Sequence, residues 1–220
     1  MTRQLAFDLP VTDAVTRADF FASPANAAGL QAIDHPDLWP GGRMLLVGPA
    51  GSGKTHLAHI WAETVSAQLV SVAELDQALI SDQMALVVDD AHLVAGQAEA
   101  TLFHLHNRLA QGGTLLLTAP TPPRDWGLRL PDLLSRMQAM ALTRLDPPDD
   151  ALLSAVLVKL FADRQIAVQP TLIAFLVTRM ERSIAAARAL VAMLDAKALA
   201  AGRPVTRALA AEVLDSAAGE

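Results

Sequence analysis

The segment Gly48-Pro49-Ala50-Gly51-Ser52-Gly53-Lys54-Thr55 narrows the folds open to this chain more than any other feature. It fits G-x-x-x-x-G-K-[ST], the pattern of a phosphate-binding loop. Such a loop works where a buried strand hands over to the first turn of a helix. The flanks supply both, with the apolar run Met44-Leu45-Leu46-Val47 before it and a helical stretch from Lys54 to about Ser66 after it. Glycines let the backbone turn tightly enough for successive amides to converge on phosphate oxygens. The helix start adds its positive dipole end. Lys54 would reach the outer phosphates and the Thr55 hydroxyl would hold Mg²⁺. The cofactor expected is a nucleotide with its magnesium.

From this loop the pattern extends in both directions. Pro24 to about Ile33 reads as a helix that ends at Pro36. Strands are expected at 43–47, 68–72, 84–88, 114–118 and 139–142, alternating with helices at 54–66, 73–80, 97–111 and 131–137. Alternation of this kind implies a parallel sheet covered on both faces, an α/β fold. The tetrapeptide Asp146-Pro147-Pro148-Asp149 interrupts it, and only helix-period segments follow, near 150–164, 170–179, 183–201 and 206–217. Asp149 or Asp150 caps the first, and Pro170 suits a first helical turn. The expected organisation is a flexible arm over residues 1–20, a nucleotide domain over 21–146 and a small helical lid domain over 147–220.

Several side chains add chemistry. Ala85-Leu86-Val87-Val88 is a buried strand ending in Asp89 and Asp90, 35 residues after Lys54. Asp89 would hold Mg²⁺ through water, and Asp90 would orient or deprotonate an attacking water. Asp90 is also placed to cap the next turn. Thr118 finishes the strand that starts at Thr114 and is a sensor candidate, or a plain strand end. Arg136, in Leu133-Leu134-Ser135-Arg136, is a candidate arginine finger acting on a neighbouring molecule's nucleotide. Arg182 opens a lid helix and is a candidate to fold back on the nucleotide; pairing with Glu181 or solvent is the simpler role. His56 and His59, like His104 and His106, have helical spacing without a third ligand, so ordinary helix positions outweigh metal binding.

Composition bounds the rest. Among 220 residues, 52% are hydrophobic and 18% charged, which suits a globular chain. The absence of cysteine removes disulfides and thiolate chemistry and fits a reducing cytosol. No secretory h-region or bilayer-length apolar run is visible, so a cytoplasmic protein without a membrane span is expected. The net charge is −6, and from Asp150 onward eight basic residues face seven acidic ones. Direct sequence-specific DNA binding is therefore not expected.

The loop followed by His56, the Asp89-Asp90 pair, the Leu-Leu-Ser-Arg136 box and the Arg182 segment together resemble the AAA+ module of the replication initiator DnaA. The likeness runs from about Phe20 to the C-terminus. DnaA's DNA-reading helix-turn-helix domain has no counterpart here. The arm holds Gln4-Leu5-Ala6-Phe7-Asp8-Leu9, which resembles peptides that dock on the DNA polymerase sliding clamp. With the module, it points to the Hda-type regulators. That resemblance implies an AAA+ P-loop module with a helical lid, binding ADP or ATP with Mg. Clamp contacts would be Gln4, Leu5, Phe7 and Leu9. The nucleotide would lie on Gly48 to Thr55, His56, Asp89 and Arg182, and Arg136 would act in trans on DnaA-bound ATP. A homo-oligomer is a further possible assembly. The alternative is an autonomous AAA+ ATPase of the helicase-loader or DNA-remodelling kind. Ala119-Pro120 follows Thr118, where DnaA-like proteins carry an acidic residue, so turnover by the chain itself stays open.

Overall fold

A computed structural model describes Arg17 and residues 20–217. Five strands occur among these: β1 (Arg43–Val47), β2 (Gln68–Val70), β3 (Ala85–Val88), β4 (Thr114–Ala119) and β5 (Ala141–Arg144). They form one parallel sheet in the order β2-β3-β4-β1-β5. The helices α1 (Ala27–Asp34), α2 (Lys54–Val65), α3 (Leu75–Ile80), α4 (Glu99–Leu109) and α5 (Pro131–Gln138) accompany it.

Strand residues alternate between the two sheet faces, so an unbroken apolar strand feeds two cores. Leu45, Val47, Leu86, Val88, Leu115 and Leu117 face one core, built with Leu102, Leu105 and Leu109 of α4 and Leu133 and Met137 of α5. Met44, Leu46, Val87 and Leu116 face the other, with Leu57, Ile60 and Trp61 of α2, and Trp39. Trp39 and Trp61 stack there with ring centroids 5.0 Å apart. Each fully buried Leu adds roughly 2 kcal/mol of hydrophobic stabilisation.

After β5 come α6 (Asp150–Asp163), α7 (Pro170–Val177), α8 (Ile184–Ala201) and α9 (Arg207–Ala217). They gather around a third core that includes Leu153, Leu157, Phe161, Leu176, Leu190, Leu194 and Leu209. Their ends are fixed by local chemistry. Asp149 caps α6 by accepting from the Leu152 amide at 2.8 Å, and Ser183 caps α8 by accepting from Ala186 at 3.1 Å. Gly202 ends α8 in the left-handed region at φ 60°. No helix among the described residues is long and apolar enough to cross a membrane.

Three expectations shift. The last strand runs 141–144 and not 139–142, because Ala139 still closes α5, its amide donating to Ser135 and Arg136 carbonyls. β2 stops at Val70, because Ser71 and Glu74 form a capping box that starts a 3₁₀ turn at Val72. The end of the expected arm is tied down: Arg17 pairs with Asp34, and the Phe20 ring meets His56 edge-on at 5.2 Å.

Candidate functional site

The phosphate loop leaves the C-terminal end of β1, the end at which α/β sheets hold their ligands. Its glycines are required by geometry. Gly51 and Gly53 have φ of 70° and 97°, which side chains with a Cβ rarely adopt. A Cβ on Gly48 would lie 2.6 Å from the Leu145 carbonyl oxygen. The loop encloses Lys54, whose Nζ donates to the carbonyls of Gly48 at 2.8 Å and Pro49 at 2.9 Å. Burial lowers the ammonium's pKa, against which Asp90 and Asp89 act. Ser52 sits in the loop with its Oγ buried and unpartnered among the described residues.

β3 delivers Asp89 to the same end. The Thr55 hydroxyl donates to its carboxylate, 3.3 Å from Oδ1 and 3.1 Å from Oδ2. Fully buried Thr118, at the same end of β4, donates to Asp89 Oδ1 at 2.5 Å and accepts from the Asp90 amide at 2.9 Å. That threonine therefore orients Asp89 and pins the turn after β3. Asp90 adopts φ 50°, a left-handed conformation that aspartate tolerates better than most residues. Its carboxylate lies 3.9 Å from His92 Nδ1. Thr55 and Asp89 offer hard oxygen donors of the kind Mg²⁺ takes, one or two from protein with phosphates and water completing the shell. No cluster of three His, Cys, Asp or Glu residues able to hold a metal alone is found among the described residues.

The structure brings Gly48 to Thr55, Asp89, Asp90 and Thr118 together, with His56 on the first turn of α2. It directs Arg182 elsewhere: the guanidinium pairs with Asp150 at the start of α6, Nη2 to Oδ1 2.5 Å. The next two residues touch the loop instead. Ile184 donates its amide to the Gly51 carbonyl at 3.0 Å, and a Cβ on Gly51 would fall 2.3 Å from Ser183 Oγ. Sequence reading missed this lid contact.

Arg136 lies at the opposite end of the sheet. It shares a cavity with Arg43, the first residue of β1, whereas the loop follows the last residue of that strand. Four strand steps separate these ends, about 13 Å. The Arg136 side chain is exposed and its guanidinium stacks 4.9 Å from the Phe103 ring centroid. Its helix is anchored by Glu99, which accepts from the amides of Arg129 at 2.9 Å and Leu130 at 2.7 Å just before α5 and of Gly96 at 2.8 Å. Gln4, Leu5, Phe7 and Leu9 lie outside the described residues.

A parallel sheet in the order 2-3-4-1-5, with a phosphate loop after its fourth strand in space and a helical bundle against that loop, is an AAA+ P-loop fold. No protein-family model matches the chain. The replication initiator DnaA of Cutibacterium acnes is 28% identical over 199 residues, covering 78% of this chain and 39% of that protein. Domain III of the Thermotoga maritima initiation protein DnaA superposes with a TM-score of 0.79 at 18% identity, covering 94% of this chain and 98% of that one. AMPPCP-bound DnaA from Aquifex aeolicus gives 0.67 at 15% identity, covering 80% and 63%. Within the AAA+ class the domain is DnaA-like. The chain spans well under half the length of the curated relative it matches.

Proposed function

We propose that this protein regulates replication initiation by promoting hydrolysis of ATP bound to DnaA while holding a nucleotide of its own. The reading divides the chain into an arm (1–20), a nucleotide domain (21–146) and a lid (147–220). ADP or ATP binds across Gly48 to Thr55, with His56 and Asp89 beside it, and Thr55 and Asp89 hold Mg²⁺. The ion supplies charge neutralisation at the phosphates. Arg182 joins the site only by leaving Asp150. The arm's Gln4, Leu5, Phe7 and Leu9 bind the DNA-loaded sliding clamp, with Leu5, Phe7 and Leu9 buried as alternate side chains.

One observation carries the role in trans. Arg136 is exposed at the end of β1 remote from the chain's own loop. From there it is remote from a phosphate held by that loop and open to one presented by a neighbouring molecule. A finger supplied in trans raises hydrolysis by roughly 10³–10⁵. A second reading, an autonomous ATPase, draws on the Thr55–Asp89–Thr118 chain, which sets up a metal position for turnover by the protein itself.

The test is DnaA's ATP hydrolysis with DNA-loaded clamp, with and without this protein, Arg136→Ala and a Gln4/Leu5 double alanine. Stimulation lost in both variants supports the regulator. Absence of stimulation by the unaltered protein defeats it and moves the autonomous ATPase forward.

A further inference from the structure

At the N-terminal end of β1 a cavity of about 300 Å³ is lined by Arg43, His106 and Arg136 together with Pro40, Ala110 and Met140. Its electrostatics are unusual. Arg43 is only 4% exposed, yet its guanidinium bonds carbonyls alone: Nη1 donates to Gly42 at 3.1 Å and Gly113 at 2.9 Å, and Nη2 to His106 at 3.3 Å. No carboxylate among the described residues pairs with it, and its Nε has no partner. A buried charge without a counter-charge is costly to a fold. The second cation, Arg136 from α5, rests on an aromatic face and on no acid among the described residues. His106 of α4 completes the wall, its buried Nδ1 without a hydrogen-bond partner among the described residues.

We infer that this cavity is a second anion site, separate from the phosphate loop, that binds a phosphate dianion between Arg43, His106 and Arg136. Two permanent cations with a third group able to take a proton match a charge near −2 better than a single carboxylate. The exposed guanidinium fork of Arg136 also suits a tetrahedral oxyanion, while Arg43 contributes mainly its charge. His106 is held down to about 4, first by burial and then by the charges of Arg43 and Arg136. An anion among them reverses the charge contribution, so binding draws a proton onto the imidazole. The site is filled by free phosphate or by the terminal phosphate of a nucleotide, and it requires no partner protein.

The experiment follows the His106 ring protons by NMR through a pH titration at constant ionic strength, in chloride and in saturating inorganic phosphate. The expected result is a saturable rise in the His106 pKa of about one unit or more, a tenfold gain in proton affinity. The rise persists in Lys54→Ala. In Arg136→Ala, a substitution at an exposed position, the starting pKa is already higher but no longer responds to phosphate. ADP titrated into Lys54→Ala separates the two sources: a shift at lower concentration than phosphate assigns the site to a nucleotide's terminal phosphate, and a response to phosphate alone assigns it to the free ion. No saturable shift with either anion, or an equal shift in Arg136→Ala, overturns the proposal.

Discussion

Glu99 is a single side chain on which the position of α5, and hence of Arg136, depends. Its two oxygens accept three backbone amides from two separate segments, Gly96 before α4 and Arg129 and Leu130 before α5. Hydrogen bonds to an ionised acceptor contribute roughly 1.5–3 kcal/mol each when well shielded. Glu99 is half-buried, so a discounted figure near 1 kcal/mol per bond gives about 2–3 kcal/mol for Glu99→Ala. Glu99→Gln keeps its carbonyl oxygen for the Arg129 and Leu130 amides but turns its own amide toward Gly96, so it should lose about one third of that. Burial pushes the carboxyl's pKa up, yet the amides of Gly96, Leu130 and Arg129 outweigh it and hold it below the usual range. Because the folded pKa is depressed, the stabilisation is present above the unfolded value, near pH 4, and is lost as pH falls through the folded value. The assay is hydrogen exchange at the Arg129 and Leu130 amides, alongside urea unfolding. Near neutral pH Glu99→Ala should lower protection there roughly 30-fold, the equivalent of about 2 kcal/mol. The gap in unfolding free energy between the unaltered protein and Glu99→Gln should narrow below about pH 4. Unchanged protection in Glu99→Ala, or a gap indifferent to pH, would refute this account of how α5 is held.

Other outcomes follow from the same geometry. Thr118→Val removes both the donor to Asp89 and the acceptor of the Asp90 amide while keeping the shape, and should cost about 2 kcal/mol in urea unfolding. Its effect on Mg²⁺-dependent nucleotide affinity should exceed its effect on metal-free binding. Lys54→Ala should weaken binding of a fluorescent ADP analogue at least 30-fold, from the loss of about 2 kcal/mol of ion pairing. Gly51→Ala meets both a φ of 70° and Ser183 Oγ at 2.3 Å, so it should cost more than the roughly 1–2 kcal/mol of the left-handed conformation alone. Adding Ser183→Gly should recover the steric part and leave the conformational part, as thermal unfolding of the pair would resolve.

What was legible in the sequence was what depends on neighbours along the chain. β3 ending in Asp89 could be read because four apolar residues before a carboxylate match a strand buried on both faces. The loop could be read because its glycines and lysine are contiguous. Arg43 was passed over as the first residue of a strand, and His106 as an ordinary helix position, because only the packing of α4 against the base of β1 joins them. An arginine opening an otherwise apolar, central strand was the available signal. Arg182 was expected at the nucleotide because it opens a lid helix, but Asp150, an acid at the first turn of α6, offers it a direct partner. One strand end differed because a side chain captured the backbone, as Glu74 does at Ser71, and another because the helix before it ran on through Ala139.

The contact between Gly51 and α8 gives the fold a route from ligand to surface. The loop carbonyl that accepts the Ile184 amide belongs to the same residue whose φ is fixed by the cradle. Ser183, which caps α8, sits where any side chain on Gly51 would be. A nucleotide that turns the Gly51 peptide must therefore break or carry with it the first turn of α8, and α8 is packed through Leu190, Val191 and Leu194 into the core of the helical bundle. Packed cores move as units and do not deform continuously. The bundle should then respond to the loop by a rigid shift, and Arg182, one residue before that turn, is the side chain whose partner such a shift would change. Exchange of Arg182 between Asp150 and a bound nucleotide would make the two nucleotide-dependent positions of the lid mutually exclusive. On that basis an Asp150→Asn substitution should favour the nucleotide-engaged lid and raise nucleotide affinity, where loss of a merely structural ion pair would lower stability and leave affinity unchanged.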